Sequence, residues 1–114
     1  MEIKTITQDS ATIVKISGSL DGNTVNEAQD KVMPLLNGKV SLVLDLADCG
    51  YISSAGLRLL LMAAKQLSTQ SGVLVLSGVS PEIKDVMEMT GFSNFFKTFD
   101  SVSDAVTALK TTQS

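Results

Sequence analysis

Histidine is absent from the 114 residues of this chain, and so is tryptophan. Without histidine, the chain lacks the imidazole base that serine and cysteine hydrolases use to activate their nucleophile. It also lacks the imidazole ligand of most catalytic zinc sites. Phosphorylation on histidine is excluded for the same reason. These absences remove several common classes of enzyme before any motif is considered.

Cysteine, basic runs and long apolar segments are also scarce. The single cysteine, Cys49, cannot form an internal disulfide, which fits a reducing compartment. Nine basic and twelve acidic residues are scattered along the chain, so the basic patch of a nucleic-acid-binding protein is missing. The longest strongly apolar stretch, residues 57–64, is too short to span a bilayer, and the N-terminus lacks a signal-peptide pattern. We therefore expect a cytoplasmic protein.

The remaining composition is that of an ordinary domain. The apolar fraction of 44% is enough for a core without a metal or a disulfide, so we expect one domain over residues 1–114. Strand and helix patterns follow each other as β-β-α-β-α-β-α-β-α, which predicts an α/β fold with a mixed, mainly parallel sheet of about five strands. Because the strand patterns at 11–17 and 40–46 each keep one polar face, we expect four helices mostly on one face of the sheet.

The boundaries follow from periodicity and from turn residues. We predict strands at residues 2–7, 11–17, 40–46, 73–76 and 95–99. Helices are predicted to begin near Thr24, Ala55, Pro81 and Ser101, and the tail 111–114 is predicted to fray. Pro34 has no amide proton, so the first helix should kink or end there. Three phenylalanines at or just before the start of this last strand are predicted to close the core, namely Phe92, Phe95 and Phe96.

The chain is organised around residues 45–61, where a buried strand leads into a helix. After Ala55 the apolar residues recur at helical spacing, at Leu57, Leu60, Leu61 and Ala64. Ser53 or Ser54 supplies the hydroxyl that caps this helix. The first N–H groups of a helix lack partners and carry partial positive charge, so a phosphate at this serine would be stabilised. From position alone, a plain cap remains the commoner role of such a serine.

Other residues near this turn allow alternative chemistry. Gly56 is unfavourable in a helix by about 1 kcal/mol relative to alanine, so close packing or an approaching partner should require its bare backbone. Asp45 and Asp48 could bind Mg²⁺ as in a receiver domain, but the second acidic pair of a receiver is missing, which favours ordinary turn and solvent roles. Cys49 could carry a phosphate in a phosphotransfer enzyme, yet it has no basic neighbour, and we predict a small buried residue. Arg58 is either a phosphate or partner contact or a solvated helix residue.

Three stretches together carry a resemblance that spans essentially the whole chain. They are residues 18–21 (Gly-Ser-Leu-Asp), residues 48–57 (Asp-Cys-Gly-Tyr-Ile-Ser-Ser-Ala-Gly-Leu), and Ser-Pro at 80–81 followed by Met-Thr-Gly-Phe at 89–92. The chain thereby resembles the STAS domain of bacterial anti-sigma factor antagonists, and the middle stretch is the most specific of the three. The resemblance implies a binding module without catalysis of its own. Its partners would be an anti-sigma factor with serine-kinase activity, which phosphorylates it, and a serine phosphatase.

The resemblance also assigns residues. It implies Ser54 as the phosphoacceptor, because Ser54 lies two positions before Gly56, and it leaves Ser53 as the second candidate, because many relatives carry aspartate there. Asp21 matches a loop aspartate near the acceptor. The expected partner-binding residues are Asp21, Asn23, Ser53, Ser54, Gly56, Leu57 and Arg58. No cofactor, metal or nucleic acid and no membrane insertion is expected, and the protein should be a monomer or a weak dimer.

One alternative of the same fold stays open. The chain could be a STAS regulatory or scaffold subunit of a transporter or of a stress-signalling complex. Such a subunit would use the same face of the helix that begins near Ala55, without phosphorylation.

Overall fold

The computed structural model describes residues 1–113, with all side chains except those of residues 93 and 111–113. Its strands are β1 (Glu2–Gln8), β2 (Ala11–Leu20), β3 (Ser41–Asp45), β4 (Cys49–Ile52), β5 (Val73–Ser77) and β6 (Thr98–Phe99). Its α-helices are α1 (Val25–Val32), α2 (Ser54–Ser68), α3 (Pro81–Met89) and α4 (Val102–Gln113). Two short 3₁₀ helices cover Met33–Leu35 and Phe92–Phe95.

The strands form one mixed sheet in the order β1-β2-β3-β5-β6. β1 is antiparallel to β2, and the other neighbours are parallel. The ten residues of β2 are long enough to pair with β3 through their first half and with β4 through their end. The predicted α/β fold with a mixed, mainly parallel sheet and four helices is confirmed. The pairing of β4 with β2 brings the start of α2 beside the loop that follows β2.

The sheet carries helices on both faces, unequally. α1, α2 and α3 pack on one face and enclose the larger core, to which β3 contributes Leu42 and Leu44. α4 covers part of the other face with a smaller core, formed by Ala11, Ile13, Val43, Val75, Ala105, Val106 and Leu109. The prediction of four helices mostly on one face therefore holds for three of them. No helix within residues 1–113 has the length and apolar character needed to cross a membrane.

Several boundaries differ from those predicted. β4 was not predicted, since its four residues have no period-two pattern: Cys49 and Ile52 are buried at its two ends, and the residues between them are exposed. The prediction that the first helix ends near Pro34 is confirmed, since α1 ends at Val32 and Pro34 lies in the 3₁₀ helix that follows.

The prediction of a strand over residues 95–99 is wrong for its first part. Gly91 adopts a left-handed conformation with φ of 79° after α3, and a 3₁₀ helix follows it, so that β6 keeps only two residues. Phe95 is 60% exposed and does not close the core, whereas Phe96 is buried. α4 continues through residues 111–113, which were predicted to fray, and Ser114 lies outside the described residues.

Candidate functional site

Ser53 connects the end of β2 to the start of α2. Its backbone is extended, with φ of −86° and ψ of 175°, so it is the N-cap residue of the helix. Its Oγ accepts a hydrogen bond from the N–H of Gly56 at 3.3 Å, which satisfies one of the free donors of the first turn. Its own N–H donates to the carbonyl of Leu20 at 2.9 Å. The end of β2 is thereby tied to the start of α2, and the predicted serine cap is Ser53.

Ser54 is the first residue of α2 and is exposed. Its hydroxyl makes no hydrogen bond to any of the described residues, whereas the half-buried Ser53 uses its hydroxyl as a cap. The two neighbouring serines thus differ in solvent exposure and in whether the hydroxyl makes a hydrogen bond. Of the two, Ser54 offers the free hydroxyl that an incoming enzyme could reach.

Gly56 is required by the packing of α2 against the ends of β2 and β4. A Cβ at this position would lie 2.7 Å from the carbonyl oxygen of Leu20 and 3.0 Å from Cγ2 of Ile52. Close packing, rather than an approaching partner, therefore explains the glycine. Leu57 is only 1% exposed and belongs to the core, so Gly56 and Leu57 cannot contribute side chains to a surface. The predicted partner-binding surface reduces to Asp21, Asn23, Ser53, Ser54 and Arg58, which are exposed or half-buried.

Asp21 lies in a tightly hydrogen-bonded turn between β2 and α1. Its Oδ1 accepts from the N–H of Asn23 at 2.9 Å, and its own N–H donates to Oγ1 of Thr24 at 3.0 Å. Thr24 donates in turn to the carbonyl of Ser19 at 2.8 Å. Sequence reasoning missed this role of Thr24, although an aspartate followed three residues later by threonine at a helix start is a recognisable turn signal. The turn fixes Asp21 directly after Leu20, whose carbonyl accepts the N–H of Ser53.

Arg58 lies one helical turn after Ser54. It is exposed, and within residues 1–113 it makes no ion pair and no side-chain hydrogen bond. A shallow groove of about 240 Å³ between α1 and α2 runs beside it, lined by Val25, Gln29, Ala55, Arg58, Leu59 and Met62. The groove offers apolar and amide side chains to a partner, and the guanidinium of Arg58 at its side is available to an anion.

The other candidate residues near the turn have structural roles. Cys49 is 1% exposed, and burial raises the pKa of its thiol, which disfavours the thiolate that phosphotransfer chemistry would need. The prediction that Cys49 is a small buried residue is confirmed.

The two aspartates near the turn make local contacts. Asp48 pairs with Lys15 at 3.0 Å, and this hydrogen bond and the charge of Asp48 raise the pKa of Lys15. Asp45 accepts from the N–H of Ala47 at 3.0 Å, which is the turn role expected of it, whereas the ion pair of Asp48 was not predicted. Among the described residues, no group of three or more acidic or cysteine side chains could hold a metal ion.

Comparison with known proteins decides the family. The profile of the STAS domain matches residues 2–105. The chain belongs to the STAS domain family. BtrV of Bordetella bronchiseptica, which carries the name of an anti-sigma factor antagonist, is 45% identical over 74 residues, or 65% of this chain and 64% of BtrV. The chain thus aligns with just under two thirds of the length of that relative. The anti-sigma-B factor antagonist of Staphylococcus aureus is 33% identical, and the alignment covers 82% of this chain and 88% of the length of that protein.

Solved structures of STAS proteins share this fold. The Bacillus anti-sigma factor antagonist SpoIIAA in its unphosphorylated form superimposes with a TM-score of 0.80 at 17% identity, over 96% of each chain. A sulfate transporter family protein from Wolinella succinogenes gives 0.77 at 19% identity, over 92% of this chain and 88% of that protein. At these identities the likeness concerns the fold alone. The STAS fold therefore serves proteins of different roles, and the function must be argued from the site.

Replacing Ser53 with alanine tests the cap. Ser53→Ala is expected to lower the free energy of unfolding by about 1 kcal/mol, because the N–H of Gly56 loses its acceptor. Ser54→Ala is the matched control on the adjacent residue, and its effect is expected to stay within about 0.5 kcal/mol, since it removes an exposed hydroxyl without a partner. Urea unfolding followed by far-UV circular dichroism measures both. Equal losses for the two variants would contradict the assignment of Ser53 as the cap.

Proposed function

We propose that this chain is an anti-sigma factor antagonist regulated by phosphorylation of Ser54. The unphosphorylated form binds an anti-sigma factor with serine-kinase activity and so frees a sigma factor. Phosphorylation of Ser54 by that kinase weakens the binding, and a serine phosphatase restores it. The chain itself is a binding module and a phosphorylation substrate, not an enzyme. Its membership of the STAS family and the names of its relatives support this proposal.

The observation that carries the proposal is the exposed, unpartnered hydroxyl of Ser54 at the first position of α2. A kinase must reach the hydroxyl oxygen and bring a phosphate to it, which needs access and no competing hydrogen bond. Ser54 meets both conditions. Ser53 is half-buried and would have to give up its cap to the N–H of Gly56. Ser54 is therefore our choice of acceptor, and Ser53 the second.

A phosphate on Ser54 acts on binding and leaves the fold intact. The first turn of a helix stabilises a negative group by about 0.3–2 kcal/mol, which favours the phosphate at this position. The carboxylate of Asp21 opposes it, but in the free protein water and salt screen that repulsion. A partner that covers the site removes the water, so the repulsion and the desolvation of the phosphate both oppose the complex. The same modification is therefore tolerated by the free domain and unfavourable in the complex.

Intact-mass and fragment-mass analysis of the protein isolated from its native cells tests the proposal. We expect a phosphate on Ser54 that disappears in cells carrying Ser54→Ala and persists in cells carrying Ser53→Ala. A phosphate on Ser53 would move the acceptor by one residue and overturn the choice of Ser54. Absence of phosphate under several growth conditions would reject phosphorylation control. It would favour a STAS regulatory or scaffold subunit, a role for which the fold likeness to a transporter family protein offers a precedent.

A further inference from the structure

We propose that Arg58 is the intramolecular partner of the phosphate on Ser54. Phosphorylation then does two things to the binding surface: it adds negative charge, and it withdraws a guanidinium that the unphosphorylated protein offers to its partner. This inference rests on the proposed function in one respect only, namely the choice of Ser54 as the residue that carries the phosphate.

The spacing along α2 brings the two side chains together. Ser54 and Arg58 are both exposed and lie four residues apart in a 15-residue helix. Side chains at this spacing lie on the same face, with Cβ atoms about 6 Å apart, which is within reach of an arginine side chain. Ser53 lies five residues before Arg58, and at 3.6 residues per turn it points to a different side of the helix. The pairing is therefore specific to a phosphate on Ser54.

Arg58 has no competing partner nearby. The three ion pairs among the described residues are Glu2 with Lys4, Lys15 with Asp48, and Asp9 with Lys110. α2 carries no aspartate or glutamate, so no carboxylate on its own helix can hold the guanidinium. The residues that share its groove between α1 and α2 are uncharged. An anion formed on Ser54 would meet a free cation, not one already in an ion pair.

The chemistry of the pair explains why an arginine would matter here. A guanidinium donates two parallel hydrogen bonds to a phosphate, and such charged hydrogen bonds are roughly twice as strong as neutral ones. Before phosphorylation the same group can bind a carboxylate of the partner. When Ser54 is phosphorylated, Arg58 therefore exchanges a carboxylate of the partner for the phosphate of its own chain. The partner loses this ion pair, and its binding is weakened.

The test places phosphoserine at position 54 by genetic code expansion and follows the phosphate by ³¹P NMR over a pH titration. The second pKa of a phosphoserine lies near 6. We expect this pKa to be about 0.3 unit lower in the native protein than in the variant Arg58→Gln, since an ion pair at this spacing favours the dianion. The difference should shrink in 1 M salt, where the screening length falls to about 3 Å.

Two controls isolate the pair. Lys65→Gln removes another exposed cation of α2 that lies three turns from Ser54, and it should leave the pKa of the phosphate unchanged. Phosphoserine placed at position 53 instead should show no dependence on Arg58. An identical phosphate pKa in the native protein and in Arg58→Gln would overturn the inference. Because the phosphate is installed during synthesis, that result is independent of whether any cellular kinase modifies Ser54.

Discussion

Replacing Gly56 with alanine is expected to lower the free energy of unfolding by about 2 kcal/mol, although alanine is the better helix former. The new Cβ would lie 2.7 Å from the carbonyl oxygen of Leu20, and this oxygen is fixed because it accepts the N–H of Ser53. Overpacking at a contact this short costs about 3 kcal/mol, which exceeds the gain of about 1 kcal/mol in helix propensity. For a domain of this size the loss corresponds to a melting temperature lower by about 8 °C.

Urea and thermal unfolding of Gly56→Ala measure this loss. Gly50→Ala is the matched control, since Gly50 is an exposed residue of β4, six residues away, and a Cβ there would meet nothing within 4 Å. We expect the control to stay within about 0.5 kcal/mol of the native protein. If Gly56→Ala were as stable as Gly50→Ala, the close approach of α2 to the end of β2 would be wrong, and with it the placement of Ser54 beside the Asp21 turn.

The position of the site could be predicted from sequence because its signals are local. A polar turn followed by helical spacing of apolar residues placed the start of α2 within one residue of where the structure has it. The choice between the serines could not be made in this way, since both hydroxyls suit a helix start. It depends on the backbone of Ser53, which is held extended by a hydrogen bond to Leu20, 33 residues earlier in the chain.

The predicted partner-binding surface shows a second limit of prediction from sequence. Residues carried over from a family motif include those that present groups to a partner and those that shape the turn, and the motif does not separate them. Leu57 was already on the predicted apolar stripe of α2, and the structure buries it. β4 escaped prediction because four residues with buried ends have no recognisable period. Both errors concern tertiary context, which decides exposure and short pairings where local pattern does not.

Phosphorylation of Ser54 is expected to weaken the complex with the proposed anti-sigma factor by about 100-fold while leaving the melting temperature of the free protein within about 2 °C. At an effective dielectric constant of 20, any two unit negative charges separated by about 6–8 Å repel by about 2–3 kcal/mol, and each 1.4 kcal/mol is tenfold in affinity. A repulsion of this order between the phosphate and the Asp21 carboxylate in a covered site would account for the expected loss. Isothermal titration of the purified partner with the unphosphorylated and the phosphoserine-54 protein measures the ratio. A phosphoprotein that binds with undiminished affinity would remove the basis of the switch.

A double-mutant cycle separates the contribution of Asp21 from that of the phosphate alone. Asp21→Asn removes the charge and keeps an oxygen that can accept the N–H of Asn23, so the turn before α1 is preserved. In this background the effect of phosphorylation should fall from about 100-fold to a few-fold, because the repulsion that accounts for most of the effect is removed while desolvation and the loss of Arg58 remain. Asp104→Asn, on α4 at the other face of the sheet, should leave the full effect. If the effect stayed near 100-fold with Asp21→Asn, the repulsion would have to come from the partner itself, and Asp21 would be a turn residue only.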